Sequence, residues 1–187
     1  MVSYRSESEY LSRGTIMSNI KRIFIIGHSG AGKGVLAQAV AKKLGWKFIN
    51  ADVLGCAAHI GRTVSEVVGT EGERAFNRCL TEILSYQIAK ENIVVTTDES
   101  IICDEKAREL LKAEFTIHLK VSVPVQLERI AEGDYRPLLP VDNFAALIDK
   151  LHNERDGLYE QVASFSLSSD DGDIEGHVAS IVKAMTK

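Results

Sequence analysis

Along the chain the spacing of apolar residues switches repeatedly between short unbroken runs and stretches where they recur every three or four positions. The short runs fall at residues 23–26, 47–49, 93–96, 115–121 and 165–167. The stretches with spacing near 3.6 fall at 34–44, 71–90, 104–112, 125–131, 142–162 and 174–185. Short apolar runs alternating with helical periods predict βαβ units, and hence a parallel sheet covered on both faces. The expected fold class is therefore α/β, a five-stranded parallel sheet with helices in a layer on either side. Two segments depart from the rhythm. Residues 1–16 are rich in Ser, Glu and Arg without periodicity and predict a flexible N-terminal tail, after which Met17 opens the first apolar run. Residues 132–141 (EGDYRPLLPV) carry two of the three prolines between two helical stretches and predict a short lid.

Length adds that residues 17–187 form one domain, since domains average about 150 residues. No stretch of 18 apolar residues occurs, and the polar N-terminus lacks an apolar signal core, so the expected address is the cytoplasm, with no membrane partner. A net charge of -4 leaves no basic excess for a phosphate backbone, which argues against nucleic acid and toward small-molecule chemistry in a monomer. Cys56, Cys79 and Cys103 share no ligand spacing with the histidines and are expected to be reduced, mostly buried thiols.

The candidate chemistry begins after the first run, with Gly27-His28-Ser29-Gly30-Ala31-Gly32-Lys33-Gly34. This segment fits G-x-x-x-x-G-K between a strand and a helix. Glycines there let successive N–H groups turn toward phosphate oxygens, the helix N-terminus adds positive potential, and Lys33 reaches the outer phosphates. Gly34 stands where a Ser or Thr hydroxyl would ligate Mg²⁺, so the metal must lean on other groups. The run at 93–96 leads into Thr97 and then two acids, Asp98 and Glu99, placed to hold a metal or its waters at a strand's C-terminal end.

These residues resemble the small P-loop kinases and, among them, the shikimate kinase family. The resemblance runs from about Lys21 to Lys187. Beyond the loop it is carried by Phe48-Ile49-Asn50-Ala51-Asp52, by Gly61-Arg62-Thr63-Val64 with Glu71-Gly72-Glu73-Arg74-Ala75-Phe76, by Arg136-Pro137-Leu138-Leu139, and by Asn153-Glu154-Arg155-Asp156-Gly157-Leu158-Tyr159. It implies a three-layer P-loop kinase fold and transfer of the γ-phosphate of ATP, with Mg²⁺, to a hydroxyl of shikimate or a similar small molecule. Lys33 and, from the lid, Arg136 would contact the phosphates, and Arg129 would stack on adenine. Asp52 would hold or deprotonate the acceptor hydroxyl, and Arg155 would grip a carboxylate.

Three departures fall mainly on the acceptor side. Asp98-Glu99-Ser100 replaces a Gly-Gly-Gly turn, Asn77 replaces a second carboxylate-binding arginine, and Asn50 sits where an Asp assisting the metal is expected. Two alternatives therefore stay open at this level: a kinase for a different small hydroxylated or nucleotide acceptor, and a nucleotide-binding module without transfer activity.

Overall fold

The computed structural model describes residues 19–52, 72–132 and 143–187. The expected tail, Arg136 and all of the expected lid except Glu132 lie outside the described residues. The elements run β1 (Arg22–Ile26), α1 (Lys33–Leu44), β2 (Lys47–Ala51), α2 (Gly72–Ile88), β3 (Ile93–Thr97), a 3-10 turn (Glu99–Cys103), α3 (Glu105–Lys112), β4 (Phe115–Lys120), α4 (Val123–Glu132), α5 (Phe144–Val162), β5 (Phe165–Ser168) and α6 (Ile174–Met185). Among the described residues the five strands form one sheet in the order β2-β3-β1-β4-β5, and every neighbouring pair is parallel.

Both faces of this sheet are covered, which is why its strands read as unbroken apolar runs rather than alternating ones. In β1, Phe24 and Ile26 point to a core shared with Leu80 and Leu84 of α2, Leu111 of α3 and Tyr159 of α5. Ile23 and Ile25 point the other way, to Leu36 and Val40 of α1 and Ile181 and Met185 of α6. The first strand lies at the centre, with β3 on one side and β4 on the other. Chain order reverses there, and the C-terminal end of such a strand is where open α/β sheets bind ligands.

Helix starts follow local chemistry. Asp98 caps the 3-10 turn by accepting from the Ser100 N–H, Asn143 caps α5 through Ala146, and Asp173 caps α6 through Gly176. The 3-10 turn itself was not visible in the apolar pattern, because Ile101 and Ile102 are too short a signal to separate from β3.

One buried polar residue makes the fold sensitive to acid. His118 of β4 is 2% exposed, stacks on Tyr159 at a centroid distance of 4.9 Å, and has no partner for either ring nitrogen among the described residues. Burial, with the field of Lys120, pushes it down from 6.5 to about 4. The unfolded chain therefore binds the extra proton first as pH falls. Stability is expected to be full above pH 6.5 and to drop toward pH 4 by up to about 3 kcal/mol. His28 is also lowered by burial and contributes with the same sign. His118→Leu should flatten much of this slope; urea midpoints measured across the interval check it, and an unchanged slope contradicts it.

Candidate active site

The loop after β1 bends as a phosphate cradle must. Gly27, Gly30 and Gly32 have φ of 147°, 81° and 89°, values that side-chain-bearing residues rarely adopt. At Gly27 a side chain would also meet the Leu119 carbonyl oxygen at 2.5 Å, so β4 packs directly on the loop. α4 reinforces it from outside. Gln126 Nε2 donates to Ser29 O at 2.7 Å, and Arg129 Nη1 donates to the carbonyls of Gly30 and Ala31 at 3.2 and 3.3 Å. Arg129 also donates to Ser169, from Nη1 to Oγ at 3.0 Å and from Nη2 to O at 2.5 Å. In this state Arg129 is thus a brace between the loop and the segment after β5.

Lys33 opens α1 and folds back over the loop, its Nζ donating to Gly27 O and His28 O, both at 2.9 Å. Burial pulls the ammonium below the ordinary lysine value, while the fields of Glu99, Asp98 and Asp52 oppose that shift. These three acids come from the ends of β2 and β3, so the parallel register of the two strands gathers them around one cation. Asp52 is fixed by Asn50, whose Nδ2 donates to Asp52 Oδ2 at 3.2 Å and whose Oδ1 accepts from the Asp52 N–H at 3.1 Å. Asn50 in turn accepts from Thr96 Oγ1 at 3.3 Å. The Asn at this position therefore orients the acid two residues on. Asp98 Oδ1 accepts from Ser100 N and Oγ at 3.0 and 2.8 Å. Glu99 reaches the loop, where its Oε2 accepts from the Ser29 N–H at 3.0 Å, and its main-chain oxygen accepts from Tyr159 Oη at 2.7 Å.

Arg155 lies on α5. Its Nε and Nη1 are buried and have no hydrogen-bond partner among the described residues, and Asn77 Oδ1 of α2 is buried in the same condition. Buried guanidinium donors without partners are costly unless an anion completes them. The Tyr159–Glu99 bond and the fields of Glu99 and Asp98 at Arg155 tie this helix to the acidic edge of the cradle.

A glycine-bent loop, an inward-folded lysine and an arginine on a facing helix also describe a set of known proteins. The family profile described as shikimate kinase matches residues 29–186. The chain belongs to the shikimate kinase family. A shikimate kinase of Psychrobacter sp. is 32% identical over 171 residues, spanning 91% of this chain and 94% of that protein. One from Francisella tularensis subsp. holarctica is 32% identical over 167 residues, spanning 88% and 94%. Among solved structures, shikimate kinase from Acinetobacter baumannii in complex with shikimate superposes with a TM-score of 0.80 at 27% identity, covering 89% of this chain and 93% of that one. Shikimate kinase from Bacteroides thetaiotaomicron gives 0.81 at 26% identity, covering 89% and 99%. The fold of this shikimate kinase family member is thus the expected one.

Of the residues singled out in the sequence, Gly27, Ser29, Gly30, Ala31, Gly32, Lys33, Gly34 and Arg129 lie at the loop, and Asp52, Asp98 and Glu99 act on Lys33 through their fields. Of the thiols expected to be mostly buried, Cys56 lies outside the described residues, Cys79 is half-buried, and Cys103 is exposed, because the 3-10 turn buries Ile101 and Ile102 and so turns Cys103 outward. Residues missed in the sequence are His28, Gln126 and His152, which are bonded into one chain beside the loop. The i,i+4 spacing of His152 and Asp156 was the available signal. His28 lies in a variable position of the loop motif, where spacing says nothing.

Gly34 has open space around the position of a side chain. Gly34→Ser is therefore expected to fit, to stabilise α1 by a few tenths of a kcal/mol, and to lower the Mg²⁺ concentration that half-saturates activity. A Mg²⁺ titration of ADP release checks it; an unchanged or higher requirement would show that the hydroxyl adds no ligand.

Proposed function

We propose that this protein transfers the γ-phosphate of ATP to a hydroxyl of shikimate. The reading is supported by the glycine-bent loop around Lys33 together with the buried Arg155 donors on α5 that have no partner among the described residues. Loop N–H groups and the α1 terminus receive the phosphates, and Lys33 exchanges its two carbonyl partners for phosphate oxygens. Asp52, held by Asn50, accepts the proton of the acceptor hydroxyl. Arg155 receives the acceptor carboxylate as a fork, which fixes the hydroxyl for in-line attack. Arg136, outside the described residues, would contribute its charge to the phosphates, and Arg129, braced at its edges, offers a planar face to adenine.

Mg²⁺ suits the oxygen donors at hand. Asp98 offers carboxylate oxygens beside the loop, hard ligands of the kind this ion takes directly or through water; among the described residues its oxygens do not close with those of Glu99 and Asp52 into one ligand set, so phosphate oxygens and water would complete the shell. When bound, Mg²⁺ neutralises charge on the phosphates. The chain's own contribution is to hold these acids at the ends of β2 and β3.

A second reading, a kinase for another acceptor, is favoured by Glu99, which puts a carboxylate and a side chain where the family has only glycine backbone. Acceptor-dependent ADP release across a panel headed by shikimate separates the two. In the proposed reading shikimate is the preferred acceptor, and Glu99→Gly raises its apparent affinity by relieving repulsion of its carboxylate. Preference for an uncarboxylated acceptor would support the second reading, and ADP release indifferent to every acceptor would overturn both.

A further inference from the structure

Beside the phosphate loop, two imidazoles and a carboxylate converge from two parts of the chain. His28 Nε2 lies 2.5 Å from Asp156 Oδ1, and His152 Nδ1 lies 2.9 Å from Asp156 Oδ2. His152 and Asp156 are one turn apart on α5, and the two imidazole rings stack at 3.9 Å. The ligand atoms of all three residues lie within 4.8 Å of one another.

Hydrogen-bond valence shows that this cluster is incomplete with neutral rings. Gln126 Nε2 donates to Ser29 O, so its Oε1 is the atom that faces His152 Nε2 at 2.7 Å. An amide oxygen only accepts, and His152 Nε2 must carry the hydrogen. A neutral imidazole has one N–H, so its Nδ1 is a bare lone pair directed at a carboxylate oxygen. Two acceptors at that separation need a positive charge between them, either a second proton or a metal cation. At His28 a cation taken by Nε2 moves the single hydrogen to Nδ1, which is buried without a partner among the described residues, so this ring's tautomer would be set by the cation rather than by an outer acceptor.

A second observation points to a ligand. The three residues line a cleft of about 330 Å³ together with His118, Glu160 and Asp170. His118, 2% exposed, presents two ring nitrogens with no partner among the described residues. The cleft has room for the waters that would fill the remaining coordination positions.

We propose that His28, His152 and Asp156 form a binding site for a borderline divalent transition cation such as zinc, with Gln126 holding the tautomer of His152. Two imidazole nitrogens and one carboxylate suit zinc, cobalt or nickel, whereas Mg²⁺ prefers oxygen throughout. The site is thus chemically distinct from the carboxylates around Lys33. Metal–donor bonds of about 2.0–2.2 Å set donors roughly 3 Å apart, so Asp156 must swing out slightly. Its side chain, 46% exposed, is free to do so. The Gln126 contact is the outer hydrogen bond that metal-bound histidines ordinarily make through their second nitrogen. A bound cation would tie residue 28 of the phosphate loop to α5 next to Arg155, linking the two halves of the site.

The test is a Co²⁺ titration of metal-free full-length protein in excess Mg²⁺, followed by visible absorption and by displacement with Zn²⁺. One saturable site is expected, with a nitrogen–oxygen spectrum and no intense near-ultraviolet thiolate band. His152→Ala and Asp156→Asn should each weaken binding by more than about 100-fold, and Gln126→Ala by roughly ten- to hundredfold, since outer partners cost that much. Asp156→Asn changes a half-buried group with little change of shape, and an unaltered melting temperature without metal would show its fold is intact. The proposal is overturned by the absence of saturable binding, by a thiolate band, or by binding that survives both ligand substitutions. It is equally overturned if nitrogen-15 spectra show both His152 nitrogens still protonated after Zn²⁺ is added. Because the readout is metal binding, its outcome is independent of which acceptor is phosphorylated.

Discussion

Lys33→Ala should lower kcat by about 10²–10³-fold, the loss typical of removing one preorganised group that stabilises charge developing in the transition state. The ammonium is held between two loop carbonyls and feels the fields of Asp52, Asp98 and Glu99. Its charge therefore offsets three carboxylates before nucleotide arrives and would serve phosphate oxygens afterwards. Removing it leaves the acids facing incoming phosphates uncompensated, so nucleotide affinity should fall together with kcat. The fold should persist, because the loop keeps its contacts from Gln126 and Arg129. Steady-state kinetics with nucleotide binding by calorimetry checks this; wild-type turnover and affinity would remove the cradle from the mechanism.

Arg155→Ala should reduce kcat/KM for shikimate roughly 30- to 5,000-fold, corresponding to about 2–5 kcal/mol for truncating one side of a buried charge pair. Two of the guanidinium's donors are buried without partners among the described residues, so part of its desolvation is incurred in advance of the ligand. Arg155→Lys should recover only a part, since a point charge cannot reproduce the fork. The KM for ATP should be nearly unchanged in both variants. A loss shared equally between ATP and shikimate would show that Arg155 supports the fold of α5 rather than the acceptor.

The layers and the parallel sheet were legible in the apolar pattern because burial on both faces leaves strands no polar alternation, while surface helices keep theirs. Boundaries shifted by a residue or two where caps decide them, as at Asn143. The cradle was legible for a different reason: glycine with positive φ and a lysine at fixed spacing leave few other uses for the segment. What the pattern could not show was contact between distant elements. Asn50 looked like a lost metal-assisting acid, yet the structure makes it the clamp of Asp52 through a register match of β2 with β3 that single-chain spacing does not encode. Glu99 reaching Ser29, and the His28–Asp156–His152–Gln126 chain, depend likewise on packing of α4 and α5 against the loop. The 3-10 turn hid in the same way, and with it the exposure of Cys103.

Transfer to shikimate is read from the fate of the γ-phosphate itself. Purified protein would be incubated with ATP labelled in the γ-phosphoryl oxygens, Mg²⁺ and shikimate, and the products examined by mass spectrometry and phosphorus NMR. The predicted result is a labelled phosphomonoester of shikimate formed in equal amount with ADP. Label found only in inorganic phosphate or retained in ATP, with shikimate unmodified, would contradict it.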